Sequence, residues 1–162
     1  MKKTLAALTL LASFSALPVH AATASLTEKN ISLQQANELA SAVIQSCSAK
    51  KYNVSVTVVD RGGNVKAVQR MDNAGPHSLE ASRMKAFTAL SMKNASGKVM
   101  EASQANAGAA NLRDIPGLLL LAGGLPLRDG DQVIGAVGVG GAPAGNLDEQ
   151  CAQAAIDSVF KG

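Results

Sequence analysis

Residues 132–140 read QVIGAVGVG and set the strictest requirement on the fold of this chain. Their β-branched, glycine-spaced pattern predicts a strand of nine residues. One face of that strand carries Val133, Val137 and Val139, and the other carries Ile134, Ala136 and Gly138. Because neither face is polar, both must be covered by other parts of the chain. The fold therefore needs a packed layer on each side of its sheet.

The other elements follow from turn residues and helical repeats, in the order α-β-β-α-β-β-β-α. The prediction comprises a helix from Ser32 with a capping box, strands at 54–59 and 65–71, a helix at 78–92, strands at 118–122, 125–128 and 132–140, and a last helix from Asn146. Residues 94–115 are ambiguous, with room for a short helix at 98–104. Strands joined by tight turns predict an antiparallel sheet with helices packed on it, which is an α+β domain.

Residues 1–21 are predicted to be a secretory signal peptide, which leaves a single domain over 22–162. Lys2 and Lys3 precede a mostly apolar stretch, and Val19 and Ala21 suit a cleavage site. We therefore expect a periplasmic or secreted protein. Removing the two lysines lowers the basic residues from 15 to 13 against 12 acidic ones, so the net charge falls from +3 to +1.

This charge and the scarcity of aromatic residues exclude several partners. A net charge of +1 gives no reason to expect a polyanion, and one Tyr, three Phe and no Trp argue against stacking on single-stranded nucleic acid. No apolar run reaches the roughly 18–20 residues of a membrane span, so we expect no membrane insertion after processing.

Cys47 and Cys151 lie on the apolar stripes of the first and last predicted helices. In an oxidising compartment two inward-facing cysteines can form a disulfide that ties these helices together. Two buried free thiols are the alternative. The spacing fits neither a zinc motif nor a redox C-x-x-C motif.

The middle helix, residues 78–92, has two apolar stripes. The first comprises Leu79, Ala86, Phe87, Ala89 and Leu90, and the second comprises Ala81, Met84, Thr88 and Met92. One stripe is enough to pack on a sheet, so the second should meet another subunit, a ligand or water.

Three interpretations of the second stripe stay open. It could be a methionine-rich oligomer interface. It could line an apolar pocket for a flat hydrophobic cofactor, with His77 as a nitrogen ligand and Arg83, Lys85 or Arg113 pairing with carboxylates. It could also form a copper site from His77 and methionines, although the methionines are widely spread.

Several ordered motifs resemble the GlcG/HbpS family, which also includes the C-terminal domain of PduO-type proteins. They are VVDRGGN at 58–64, RMDNAGP at 70–76, KAFTA at 85–89, DIPG at 114–117, GGLPL at 123–127, IGAVGVGGA at 134–142 and Asp148-Glu149. Together they cover nearly all of the chain after residue 21.

The resemblance implies a profilin-like fold with a five-stranded antiparallel sheet between helices. It also implies homo-oligomers and, for secreted members, haem binding. In one secreted branch a polar residue just before the DIPG motif contacts haem, and Asn111 lies in the matching stretch here. An amide is a poor iron ligand, which either favours His77 or leaves haem held mainly by apolar and carboxylate contacts.

We therefore expect a haem-binding protein with His77 as the iron ligand. Arg113 and Lys85 are the candidate propionate partners, and Met84, Thr88 and Met92 would line the pocket or interface. Two alternatives stay open: a small-molecule enzyme or accessory protein of 2-hydroxy-acid metabolism with Asp60, Asp72 or Asp114 as acid or base, and a purely structural interaction protein.

Overall fold

A computed structural model of the chain describes residues 25–160. Its elements are α1 (Leu33–Ala49), β1 (Ser55–Asp60), β2 (Val65–Arg70), α2 (His77–Met92), α3 (Ser96–Ala105), a 3₁₀ helix (Ala107–Asp114), β3 (Gly124–Asp129), β4 (Gln132–Gly140) and α4 (Gly145–Phe160). The predicted signal peptide lies outside the described residues. Within residues 25–160, every helix is too short or too polar to cross a membrane.

The sheet is antiparallel, with its strands in the order β2-β1-β4-β3. The α+β class is therefore confirmed, but the prediction of five strands is not, because the described residues contain four. The pairing of β1 with β4 places the first and last strands side by side at the centre of the sheet.

Residues 118–122, predicted as a strand, form an irregular segment instead. The backbone N–H of Leu119 donates to the Thr88 hydroxyl at 2.8 Å, and the carbonyl of Leu121 accepts from the Ser96 hydroxyl at 2.7 Å. Side chains of α2 and α3 thus take up hydrogen bonds that a strand would exchange with its neighbour. We call residues 118–121 the leucine loop.

The prediction that β4 is covered on both faces is confirmed, since every residue after Gln132 is buried. Val137 and Val139 pack in the larger core with residues of α1 and α4, including Leu39 and Cys151. Ala136 packs on the opposite face against Ala86 and Ala89 of α2. The sheet thus lies between α2 on one side and α1 with α4 on the other.

α2 lies directly on the backbone of the sheet. A Cβ atom at Gly138 would overlap the carbonyl of Ser82, and one at Gly124 would overlap the carbonyl of Lys85. The Ser82 hydroxyl also forms a 2.7 Å hydrogen bond with the hydroxyl of Thr57 on β1. Glycines in the strands therefore permit close helix–sheet contact, and buried hydroxyl pairs fix its position.

This close contact corrects the predicted apolar stripes of α2. The buried side chains of the helix are small or polar ones, namely Ser78, Ser82, Lys85, Ala86, Thr88 and Ala89. Leu79, expected to face the sheet, is 41% exposed. A leucine is too large for a helix that lies directly on glycine backbone. Thr88, expected on the outer stripe, is fully buried.

Of the two alternatives for the cysteines, the structure shows the disulfide: it joins Cys47 of α1 to Cys151 of α4, with the two Cα atoms 5.3 Å apart. Both residues are fully buried in the core between the two helices and the sheet.

Gly138→Ala tests the close helix–sheet contact. The added methyl group must displace the backbone of α2, so we expect the free energy of unfolding to fall by about 3 kcal/mol or more. Gly130→Ala is the control, because a Cβ there meets no atom within 4 Å. The only cost expected is the backbone strain of an alanine at a φ of +60°, about 1 kcal/mol. Urea unfolding measures both, and equal losses would contradict the packing described.

The double variant Cys47→Ala/Cys151→Ala tests the disulfide. The bond spans 104 residues, and a loop on the order of 100 residues predicts a loss of about 4–5 kcal/mol through the unfolded state. Urea unfolding of the variant should match that of the reduced wild type. A free-thiol assay on the unfolded, unreduced wild type should detect no reactive cysteine, and detection of two would show that the bond is absent.

Candidate functional site

A buried ion pair links α2 to α4 beneath the candidate site. The Lys85 ammonium lies 2.7 Å from Asp148 Oδ2, and the two side chains are 2% and 3% exposed. Lys85 Nζ also donates to the carbonyl of Val139 at 3.0 Å, and Asp148 Oδ1 accepts from the N–H of Ala142 at 2.9 Å. The pair thereby joins α2, the end of β4 and the start of α4.

Burial raises the pKa of Asp148 above its ordinary value near 3.8, although the hydrogen bond and charge of Lys85 act in the opposite direction. A carboxyl group whose pKa is raised on folding binds its proton more tightly in the folded state. The tighter proton binding of Asp148 therefore stabilises the folded state fully below the unfolded pKa. This stabilisation is lost as the pH rises through the folded pKa.

Lys85 was predicted to contact a ligand carboxylate. The structure gives its ammonium two internal partners and buries it away from solvent. The predicted ligand contact stays a prediction, but the observed position of Lys85 indicates a structural role in holding the helices together.

The leucine loop forms the apolar wall of a cleft of about 290 Å³ with a mixed lining, which we call the leucine cleft. Its lining comprises Met100, Ser103 and Gln104 of α3, Arg113 of the 3₁₀ helix, and Leu118, Leu119 and Leu120. Hydrogen bonds between the loop backbone and the hydroxyls of Thr88 and Ser96 anchor Leu119 and Leu121. The leucine side chains are thereby presented to the cleft on an anchored backbone.

Arg113 is the cation of the leucine cleft. Its Nε donates to the carbonyl of Ala110 at 2.9 Å, which orients the exposed guanidinium. The two terminal nitrogens of the guanidinium remain able to donate to another acceptor. Their paired N–H groups match the two oxygens of a carboxylate. A cleft with an apolar wall and a single oriented cation fits an amphipathic anion.

A second cleft of about 560 Å³ lies on the other side of Met100, between α3 and the start of α4. We call it the α3–α4 cleft. Leu121 and Ala122 give it apolar surface, and Glu149 gives it a carboxylate. Lys98 also lines it but is paired with Glu101 at 2.9 Å. Since Met100 borders both clefts, its flexible side chain is the partition between them.

The structure brings some of the predicted site residues together and leaves others apart. Arg113 lines the leucine cleft, Thr88 supports it, and Asn111 is exposed on the same 3₁₀ helix as Arg113. Met84 and Met92 are half-buried on α2.

His77 is exposed at the first residue of α2. Eleven residues separate it from Thr88, a distance of about 16 Å along the helix axis. Among residues 25–160, no three His, Cys, Asp or Glu side chains converge to hold a metal ion. The axial role of His77 stays a prediction.

Sequence reasoning did not place Met100 and the leucine loop in the site. The run of four leucines at 118–121 predicted a buried strand, whereas Leu121 is 41% exposed and Leu119 and Leu120 are partly exposed. The Pro116-Gly117 turn before the run and the Gly123-Gly124 pair after it were the available indications of a loop. Gly117 has a φ of +89°.

The Asp60 carboxylate, an acid or base candidate, is used within the β1–β2 turn. Its Oδ1 accepts hydrogen bonds from the N–H groups of Gly62 and Asn64, both at 2.9 Å. Asp72 and Asp114 are exposed and belong to different elements of the chain.

A cleft with a leucine wall and one placed guanidinium has the features typical of small-molecule sites. The sequence profile of a family described as haem-degrading protein HbpS-like matches residues 31–157. The chain belongs to this HbpS-like family.

Individual relatives agree with this assignment. The chain is 35% identical to protein GlcG of Escherichia coli K12 over 113 residues, which cover 70% of this chain and 83% of that protein. The crystal structure of a double mutant of Streptomyces reticuli HbpS has a TM-score of 0.78 and 39% identity, covering 89% of this chain and 97% of that one.

A crystal structure of a PduOC–haem complex has a TM-score of 0.72 and 25% identity, covering 81% of this chain and 95% of that one. The resemblance to the GlcG/HbpS family and to PduO-type proteins is thus confirmed.

A double-mutant cycle on Lys85 and Asp148 tests the buried pair. Asp148→Asn leaves a buried ammonium without its counter-ion and should cost about 3–5 kcal/mol of unfolding free energy. Adding Lys85→Met should recover part of that loss, giving a coupling energy of about 2 kcal/mol.

The exposed pair Lys98–Glu101 is the matched control, with a coupling below about 1 kcal/mol expected. Urea unfolding at one pH measures both cycles. Similar couplings for the buried and exposed pairs would show that the buried pair does not organise the fold.

Proposed function

We propose that this chain is a secreted or periplasmic haem-binding protein that holds haem in the leucine cleft. The observation that carries the proposal is the oriented, exposed guanidinium of Arg113 beside the apolar wall of this cleft. Membership of the HbpS-like family and the similarity to a PduOC–haem complex support it.

The residues of the leucine cleft suit both the apolar porphyrin face and the charged propionates of a haem. Leu118, Leu119 and Leu120 offer an apolar surface to the porphyrin face, and the terminal nitrogens of Arg113 can pair with a propionate. In the part of the chain that the structure describes, Tyr52, Phe87 and Phe160 are the aromatic residues, and none of them lines this cleft. Aliphatic and thioether groups would therefore make the contact.

The size of the cleft supports a shared site. At about 290 Å³ it lies at the lower end of the range for small-molecule pockets, which is about 300–1,000 Å³. A porphyrin would extend beyond it, and its remaining surface must be covered by the α3–α4 cleft or by a second copy of the chain. We therefore include a homo-oligomer in the proposal.

Bound haem would supply an iron centre that changes its oxidation state or binds a further small ligand. Two side chains of this chain are candidate ligands of that iron. Met100 has a thioether on the cleft wall, and thioether sulfur is a known haem ligand. His77 is the stronger donor type but lies at the far end of α2. It could reach the iron only from a second copy of the chain. Met100 is therefore the candidate within one chain.

The location forms part of the same proposal. The predicted signal peptide at 1–21 directs the chain out of the cytoplasm, and the Cys47–Cys151 disulfide suits an oxidising compartment.

Haemin titration of the protein without residues 1–21 tests the function. We expect a saturable shift of the Soret band for the wild type. Arg113→Gln should weaken binding by about tenfold through loss of a charge-assisted contact. Lys66→Gln on β2, outside both clefts, is the matched control and should bind like the wild type. The absence of a Soret shift in the wild type would overturn the proposal.

The same titration assigns the iron ligand. Met100→Leu keeps the volume of the side chain and removes the sulfur, whereas His77→Ala removes the imidazole. The variant that changes the position of the Soret band identifies the ligand. Unchanged spectra in both would exclude Met100 and His77 without affecting the assignment of haem to the cleft.

A further inference from the structure

A third cleft, at the opposite end of α2 from His77, gathers positive charge beside an apolar wall. It has a volume of about 420 Å³ and lies where the β1–β2 turn, the end of α2 and the β3–β4 turn meet. Arg61, Lys93 and Arg128 supply three cations, against the single carboxylate of Asp131. We call it the cationic cleft.

Two of the three cations are held in position by backbone carbonyls. Arg61 Nη1 donates to the carbonyl of Val133 at 2.9 Å, and Arg128 Nη2 donates to the carbonyl of Lys93 at 2.7 Å. Each guanidinium carries five N–H groups, so several remain to donate to a ligand. The bond from Arg128 also places a positive charge next to the carbonyl end of α2, where the helix dipole is negative.

The charges of this cleft are only partly balanced within the protein. Arg61 Nη2 pairs with Glu28 at 2.8 Å. Within residues 25–160, the structure shows no ion pair for Lys93 or Arg128. With Glu28 paired to Arg61 and Asp131 in the lining, the cleft keeps a small excess of positive charge, carried by the exposed Lys93 and Arg128. This excess creates a positive potential that attracts an anion from solution.

Phe87 and Leu90 form the apolar wall of the same cleft. The Phe87 ring is held between two glycine turns, since a Cβ at Gly63 would lie 3.2 Å from its Cε2 and one at Gly117 would lie 3.4 Å from its Cδ1. Both glycines have positive φ angles, which other residues rarely adopt. The ring is therefore fixed beside the cations.

From these contacts we infer that the cationic cleft binds a small organic anion with a flat apolar body and at least one carboxylate. The carboxylate pairs with Arg128 and Lys93, and the body lies against Phe87 and Leu90. The volume suits a single small molecule. The site rests on none of the residues assigned to haem, so either proposal can fail alone.

Benzoate is a suitable probe, because it combines one carboxylate with one flat ring. In an NMR titration of ¹⁵N-labelled protein, we expect saturable amide shifts confined to residues of the cleft, such as Gly62, Ser91 and Asp131. Benzamide keeps the ring without the charge, and inorganic phosphate keeps the charge without the ring. Both should bind about tenfold more weakly than benzoate.

Lys93→Gln removes a cation that has no ion pair in the described chain and should weaken benzoate binding by about fivefold. Lys50→Gln at the end of α1 removes the same charge from an exposed position outside all three clefts and should leave the affinity unchanged. Shifts that do not saturate, equal binding of benzoate and phosphate, or equal affinity of the wild type and Lys93→Gln would each overturn the inference.

Discussion

The direct contact between α2 and the backbone of the sheet is the constraint on which the rest of this structure depends. Gly138 and Gly124 leave no side chain between helix and strands, so the carbonyls of Ser82 and Lys85 approach the sheet itself. At this separation the Ser82 hydroxyl reaches Thr57, and Lys85 Nζ reaches the carbonyl of Val139. A helix held farther away by larger side chains could make neither bond.

The position of α2 determines the candidate site. Lys85 extends past the sheet to Asp148 and so fixes the start of α4, while Thr88, one turn further along the helix, holds the leucine loop. The clefts on either side of Met100 are bounded by these two elements and by α3. Buried polar contacts, which bind no ligand themselves, thus define the shape of the surface to which a ligand can bind.

Local patterns predicted the α+β class, the hairpin at Asp60 and the inward position of both cysteines, because turn chemistry and periodicity are encoded in adjacent residues. They left open whether the two cysteines are bonded. They failed at residues 118–122, whose backbone partners are the side chains of Thr88 and Ser96, far away in sequence. They also failed for Leu79, because helical periodicity does not reveal that the opposing strand is glycine backbone. Of the residues that line the leucine cleft, Arg113 was singled out in the sequence by its charge and its place before the DIPG motif, whereas Met100 reaches the cleft only through the tertiary fold.

The bond between Cys47 and Cys151 has a consequence for proteolysis. It joins the first helix to the last, so both edges of the sheet, all the turns, α2 and α3 lie inside one covalent ring. A protease that cuts an exposed turn in this ring, such as the one around Gly130, opens the chain without releasing a fragment. The two pieces stay linked until the disulfide is reduced.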